Sequence, residues 1–109
     1  MKKIVYFLLI SIGAFSQTGI GTTTPINKLE VVTSAADPAS TGSAPNGNFR
    51  LGPSSGSHIL DFGLSSTSTY SWLQARSKSN YATLYDLAFN PIGGKVGIGN
   101  SAPSSTLTV

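Results

Sequence analysis

The chain has 109 residues, with seven Lys and Arg against four Asp and Glu, one His and no Cys. This length allows one small domain at most, and the lack of Cys excludes disulfides as a source of stability. The basic residues form no cluster or stripe, which argues against a nucleic-acid partner.

The first sixteen residues have the pattern of a secretion signal. Lys2 and Lys3 precede an almost unbroken apolar run over residues 4–15, and the small residues Ala14 and Ser16 offer a signal-peptidase site. The run is shorter than the roughly 20 apolar residues of a membrane-spanning helix. We predict a signal-peptide helix over residues 1–16, a secreted or bacterial cell-surface location, and membrane contact only through this transient signal; an uncleaved anchor is the alternative. After cleavage at residue 16, five basic and four acidic residues would remain, so the mature chain would be nearly neutral.

An internal repeat is the most informative feature of the chain. Residues 19–31 (GIGTTTPINKLEV) match residues 97–109 (GIGNSAPSSTLTV) in register. In each copy two glycines permit positive φ or close backbone approach, proline excludes a helix, and Leu-x-Val has the strand period of two. Each copy is predicted to form a corner, a turn and a short strand. The residues assigned to repeat packing and assembly are Gly19, Ile20, Gly21, Pro25, Leu29 and Val31, with Gly97, Ile98, Gly99, Pro103, Leu107 and Val109.

Between the two repeats, composition separates a linker from a β module. The first repeat with its short strand occupies residues 17–32, and residues 33–48 are rich in Ser, Ala, Gly and Pro. Few side chains there can bury apolar area, so a flexible linker is predicted. The β module follows at residues 49–96, ahead of the second repeat at residues 97–109. Its strand candidates are residues 49–51, 57–65, 69–76 and 81–89.

The longest of these candidates shows clear alternation. His58, Leu60, Phe62 and Leu64 share one face, and Ile59, Asp61, Gly63 and Ser65 share the other. The predicted fold class is all-β, with short antiparallel strands in a fibre-type or small sandwich-like module. About 90 residues bury too little surface for a robust lone domain, so burial against partner chains is expected.

Several of these residues resemble a known family. The runs WLQAR at residues 72–76 and LAFNPIGGKVGIG at residues 87–99, with Pro103 and the LTV at residues 107–109, resemble phage tail-fibre-like proteins and related bacterial surface fibre proteins. The resemblance covers residues 19–31 and 49–109. It implies trimeric, β-rich, extended fibres used for attachment, often ahead of a self-cleaving intramolecular chaperone domain.

This chain departs from the family pattern in two places. Residues 100–102 (NSA) stand where a Thr-rich turn is usual, and residues 1–109 do not include a chaperone domain. We therefore expect a fragment or a short relative of a longer protein. The secretion signal favours a bacterial envelope protein over a virion part, because phage fibres assemble inside the cell.

No residue pattern supports catalysis. A Ser-His-Asp set around His58, the only histidine, lacks a Gly-x-Ser-x-Gly elbow, and Asp61 with Asp86 is the one plausible carboxylate pair for glycoside hydrolysis. These carboxylates are instead expected to cap turns or to pair with Arg76 or Lys78. One His without Cys cannot form a zinc site, whereas calcium held by Asp and loop carbonyls stays open. We predict no enzyme, no cofactor and no assigned metal ligand.

Aromatic residues in the module would suit a sugar-binding surface. The glycan-binding candidates are Tyr70, Trp72, Gln74 and Arg76; packing of the aromatics between strands or between protomers is the interpretation we favour. The leading prediction is a non-catalytic, homotrimeric structural or adhesive module. A carbohydrate-binding β-sandwich and a fragment of a polysaccharide-degrading fibre enzyme are the alternatives.

Overall fold

A computed structural model describes residues 2–3 and 17–109. The predicted signal peptide, residues 1–16, lies outside the described residues except for Lys2 and Lys3. The described part contains seven β-strands and no helix, which confirms the all-β class. It therefore contains no helix long and apolar enough to cross a membrane. The chain divides into two units, residues 1–33 and 34–109.

In the first unit, the first repeat folds into a small parallel pair of strands. β1 (Thr18–Ile20) pairs with β2 (Leu29–Val31), and Ile20 lies opposite Val31. The connection between them is shorter than the dozen or more residues that usually join parallel strands, so the chain arches back without a helix. Gly21 starts this arch with a φ of +77°, a conformation that favours glycine.

The second unit is built on a three-stranded antiparallel sheet. Its order is β3 (Phe49–Leu51), β4 (His58–Leu64), β5 (Ser71–Ser77), so β4 is the central strand. Three of the four predicted strands are thereby confirmed. Burial alternates along β4 as its sequence predicts: Ile59, Asp61 and Gly63 are buried, and Leu60 and Phe62 between them are more exposed.

The fourth predicted strand, over residues 81–89, is wrong. A single bridge between Arg76 and Leu84 is the only sheet pairing in this stretch. Asn80 starts a turn instead, because its side chain accepts a hydrogen bond from the Ala82 amide and its carbonyl accepts one from the Thr83 amide. The turn directs the Tyr81 side chain into the core, where it is fully buried. Because the backbone turns here, the chain does not extend from this residue as a strand.

Residues 34–48, which we call the covering segment, lie on one face of this sheet. They form no strand or helix, as their composition predicts, and backbone hydrogen bonds connect this predicted linker to the β module. The Ala36 amide donates to the Leu64 carbonyl at 2.9 Å, and the Gly42 carbonyl accepts from the Tyr81 amide at 2.8 Å. A segment poor in apolar side chains is held by its backbone, since every residue supplies a hydrogen-bonding carbonyl.

The second repeat has the same fold as the first. β6 (Val96–Gly97) pairs in parallel with β7 (Leu107–Thr108), and Gly97 opposite Thr108 matches Gly19 opposite Glu30. The repeated sequence is therefore also a repeated structure. The prediction of antiparallel strands holds for the central sheet only, because the arch in each repeat returns the chain to the starting end of its first strand.

Candidate interaction surface

The covered face of the sheet holds a buried ionic cluster. Arg50 Nε donates to Asp61 Oδ1 at 2.5 Å, and Arg76 Nη2 donates to Asp61 Oδ2 at 2.8 Å. Strand register explains the meeting, because Arg50 lies directly opposite Asp61, while Arg76 lies opposite Ile59 and reaches Asp61 diagonally. Asp61 and Arg76 are only 1% and 0% exposed. The predicted ion pair of Asp61 with Arg76 is confirmed, and Arg50 is an additional partner that sequence reasoning missed.

Tyr81 completes the cluster. The Arg76 guanidinium lies 3.7 Å from the centroid of the Tyr81 ring, and Arg50 Nη2 donates to the Tyr81 hydroxyl at 2.8 Å. Arg76 also donates to the Ala39 carbonyl at 2.7 Å and to Asn46 Oδ1 at 2.8 Å, both on the covering segment. Among the described residues no buried side-chain nitrogen or oxygen lacks a hydrogen-bond partner. The cluster therefore fastens the covering segment to the sheet.

The electrostatics of Asp61 do not suit acid catalysis. Burial raises the pKa of its carboxyl, but the hydrogen bonds and positive charges of Arg50 and Arg76 outweigh burial and lower that pKa below 3.8. A glycosidase acid needs a raised pKa. Asp86, its suggested partner, is exposed beside Leu60 and Ala75 on the opposite side of the sheet. The structure thus does not bring the two carboxylates together.

The remaining polar candidates are dispersed. His58 is exposed at the start of β4. Asp37 on the covering segment accepts hydrogen bonds from Ser65 Oγ at 2.5 Å and Thr67 Oγ1 at 2.7 Å, which lower the pKa of its carboxyl. Within the described ranges, no three His, Asp or Glu side chains are grouped to hold a metal ion.

Two of the four predicted glycan-binding residues are buried. Trp72 is 7% exposed and its indole N–H donates to the Ala36 carbonyl at 3.0 Å, while Arg76 belongs to the ionic cluster. Neither side chain presents a surface on which a sugar can stack, so the glycan site is corrected at these two positions in favour of packing. Tyr70 is half-exposed, and Gln74 is half-buried with its amide donating to the Ala75 carbonyl.

The opposite face of the sheet, which we call the apolar face, is largely bare. Register aligns Phe49, Phe62 and Leu73 in one cross-strand row, and Leu51, Leu60 and Ala75 in the next. Phe49 and Phe62 form an aromatic pair with ring centroids 5.4 Å apart. The strands place no Lys, Arg, Asp or Glu on this face, because alternation directs all three charged residues of the sheet to the covered side. The residues forming it are Phe49, Leu51, Leu60, Phe62, Leu64, Leu73 and Ala75.

One end of the apolar face opens into a cleft. Leu51, Leu60 and Ala75 line it from the sheet, and Tyr85 and Leu87 border it from the chain beyond β5. Its volume is about 380 Å³. The row of Phe49, Phe62 and Leu73 lies outside this cleft, and Phe49 and Leu73 remain 49% and 47% exposed.

The two repeats share a tightly closed arch and an exposed apolar residue. A Cβ added at Gly19 would lie 2.6 Å from the Thr22 carbonyl oxygen, and one at Gly97 would lie 2.0 Å from that of Asn100. Glycine is therefore required at both positions for close backbone approach, as predicted. The isoleucine that follows each of them is more than half exposed in the single chain.

No family model, curated protein or solved structure matches this chain. The functional argument therefore depends on the geometry of the chain.

Proposed function

We propose that this chain is a non-catalytic structural or adhesive module of an exported cell-surface or tail-fibre-like protein, and that it assembles as a homotrimer. The observation that carries the proposal is the exposure of about half of each of the Phe49, Leu64 and Leu73 side chains on one face of the central sheet, outside its cleft end. Soluble monomers rarely expose contiguous apolar patches larger than a few hundred Å², and the largest patch on a protein is often its interaction surface.

The repeats support the same conclusion independently. Parallel strands are normally buried on both faces, and an isolated pair of strands is marginally stable in water. Each repeat is a parallel pair whose leucine, Leu29 or Leu107, is about 60% exposed. Neighbouring chains would bury these side chains and complete the sheets.

The chemistry of the charged residues also favours structural work. In the central sheet Arg50, Asp61 and Arg76 are engaged with one another, and the carboxylate is held ionised between two guanidinium groups. Such a cluster supplies neither a free base nor a protonated acid. An exported module without disulfides draws its stability from this cluster and from contacts between chains.

The oligomeric state tests the proposal. The full chain, expressed with its amino-terminal segment in a bacterial host and purified, should have three times the mass of one chain by light scattering at micromolar concentration. The trimer should dissociate with loss of structure on dilution. A folded monomer at that concentration would overturn the proposal, as would release of reducing sugars from envelope glycans.

A further inference from the structure

We infer that the apolar face of the β3–β4–β5 sheet forms the shared interior of the homotrimer, with each sheet turned towards a three-fold axis that runs along the strands. The occupant of this face is thus a second and a third copy of the chain. This inference rests on the proposed trimer and specifies its contact surface.

The width of the sheet matches three copies. Strands lie about 4.8 Å apart, so a three-stranded sheet is roughly 14 Å wide. If three such sheets form the sides of a triangular prism, the middle of each sheet lies roughly 4 Å from the three-fold axis. This distance is close to half of the roughly 10 Å spacing between two packed sheets. Four copies would place each sheet roughly 7 Å from the axis and leave the centre unfilled. Residues 83–85 pair with β5 only from Ala75 to Ser77, so the earlier part of the β5 edge is open, like the β3 edge. Two copies would leave these edges unpaired, whereas three copies place β3 of one chain beside the open part of β5 of the next.

The side chains on the face fit an interior of this size. Phe62 comes from the central strand and would point to the axis, while Phe49 and Leu73 flank it on β3 and β5. Tyr85 and Leu87 border only the end at Leu51 and Ala75. The remainder of the face is therefore accessible to neighbouring copies.

The exposed area is also close to what a specific contact needs. The half-exposed Phe and Leu side chains of the face present roughly 400 Å² of apolar surface per chain. Interfaces are about 60% apolar by area, so this corresponds to roughly 650 Å² buried per chain, near the roughly 800 Å² of a standard interface.

The lack of charged strand residues on the apolar face indicates what kind of partner it can bind. The strands place no ionised side chain on it, since Arg50, Asp61 and Arg76 all lie on the covered face; the carboxylate of Asp86 borders it only at the cleft end. Nucleic acid and anionic lipid surfaces are attracted by basic residues, which this face lacks. A partner must offer an uncharged apolar surface of the same width, and a second copy of the chain offers one.

Chemical cross-linking through a single introduced cysteine tests the geometry directly, because the chain has none of its own. Leu64 lies on the central strand and is half-exposed on the apolar face. Three-fold symmetry places its three copies at one height around the axis. With a short bismaleimide at micromolar protein, Leu64→Cys should give at least tenfold more covalent dimer than the control Leu84→Cys, because of its higher effective concentration.

Leu84 provides the matched control. It is exposed and lies beside Gln74 and Ala39, on the covered side of the sheet. Leu73→Glu should weaken association at least a hundredfold, because it places a carboxylate in a desolvated interior, whereas Leu84→Glu should leave the trimer intact. Emission from Trp72 reports whether each variant retains its fold.

The outcomes separate the two proposals. A wild-type monomer or dimer would overturn the trimer itself. A trimeric wild type in which Leu73→Glu and Leu64→Cys behave like their Leu84 controls would overturn this interface and leave the trimer standing. If Leu73→Glu unfolds, the cross-linking yield of Leu64→Cys decides.

Discussion

Trp72 lies flat against Gly63, its register partner on the neighbouring strand. A Cβ added to Gly63 would be only 2.2 Å from Trp72 Cζ2. The only tryptophan of the chain can therefore lie under the covering segment, where its N–H reaches the Ala36 carbonyl, because residue 63 has no side chain. Gly47 on the covering segment approaches the same ring, with its added Cβ 3.4 Å from Trp72 Cη2.

Gly63→Ala should destabilise the second unit by about 1–3 kcal/mol, because the added methyl group overpacks the site of a buried ring. Urea unfolding followed by circular dichroism measures the change, because this signal remains in a chain that lacks Trp72. Gly63 has no positive φ, so the cost is steric. The change should cost less in a Trp72→Phe background, where the ring is smaller, and equal costs in both backgrounds would contradict the packing.

Asp61→Asn should cost about 3–5 kcal/mol, because it leaves the charge of the buried Arg76 uncompensated. Thermal unfolding monitored by circular dichroism measures the loss. The matched control is Asp86→Asn at an exposed position, where a change within about 0.5 kcal/mol is expected. Equal effects of the two variants would show that the ionic cluster does not hold the sheet together.

The stability of the fold should fall in acid. The pKa of Asp61 is lower in the folded chain than its ordinary value of 3.8, so its contribution is fully present above that value. The contribution is lost as the pH falls through the folded pKa. Asp37 acts in the same direction through its bonds from Ser65 and Thr67.

Urea midpoints measured from pH 7 to pH 2 should therefore be nearly constant above about pH 5 and should decline below about pH 4. Asp37→Asn should preserve most of this decline, because Asp61 is the carboxylate between two arginines. Stability that rises on acidification would contradict the assignment.

Any binding of sugars should depend on Tyr70 and not on the ring of Trp72. Tyr70→Ala removes a half-exposed side chain and should change stability by less than about 1 kcal/mol. Trp72→Ala removes a buried ring and should cost about 3–5 kcal/mol. A glycan array probed with wild type, Tyr70→Ala and the milder Trp72→Phe distinguishes the two. Selective loss of sugar binding in a folded Trp72→Phe chain would contradict the burial of the ring.

Gly97→Ala should open the arch of the second repeat. Its Cβ would lie 2.0 Å from the Asn100 carbonyl oxygen, and backbone must move to relieve this contact. Hydrogen exchange of the Val96 amide, which donates to the Thr106 carbonyl at 2.9 Å, should accelerate at least tenfold. The neighbouring Ser101→Ala change, at an exposed position of the same arch, should leave this exchange unaltered.

Local patterns in the chain predict much of the local structure. The alternation from His58 to Leu64 identifies β4 and its two faces, and the glycine-flanked isoleucines identify both arches. Side-chain periodicity and backbone freedom are properties of adjacent residues, so they can be deduced without knowing which segments meet. The sequence offered Arg76 as one of several partners for Asp61, beside Lys78 and a turn cap, and did not distinguish among them.

The meeting of distant segments follows from the tertiary structure alone. Strand register places Arg50 opposite Asp61, and a turn at Asn80 converts Tyr81 from a predicted strand residue into a core residue. The covering segment is held partly through the side chains of Asp37 and Asn46 and partly through backbone carbonyls, such as those of Ala36 and Gly42. Every residue carries a carbonyl, so no residue type distinguishes the ones that will accept from a buried indole or amide. The carbonyls that accept these hydrogen bonds are those that the folded chain brings close to the donors. The same folding covers one face of the sheet and leaves the other face largely exposed.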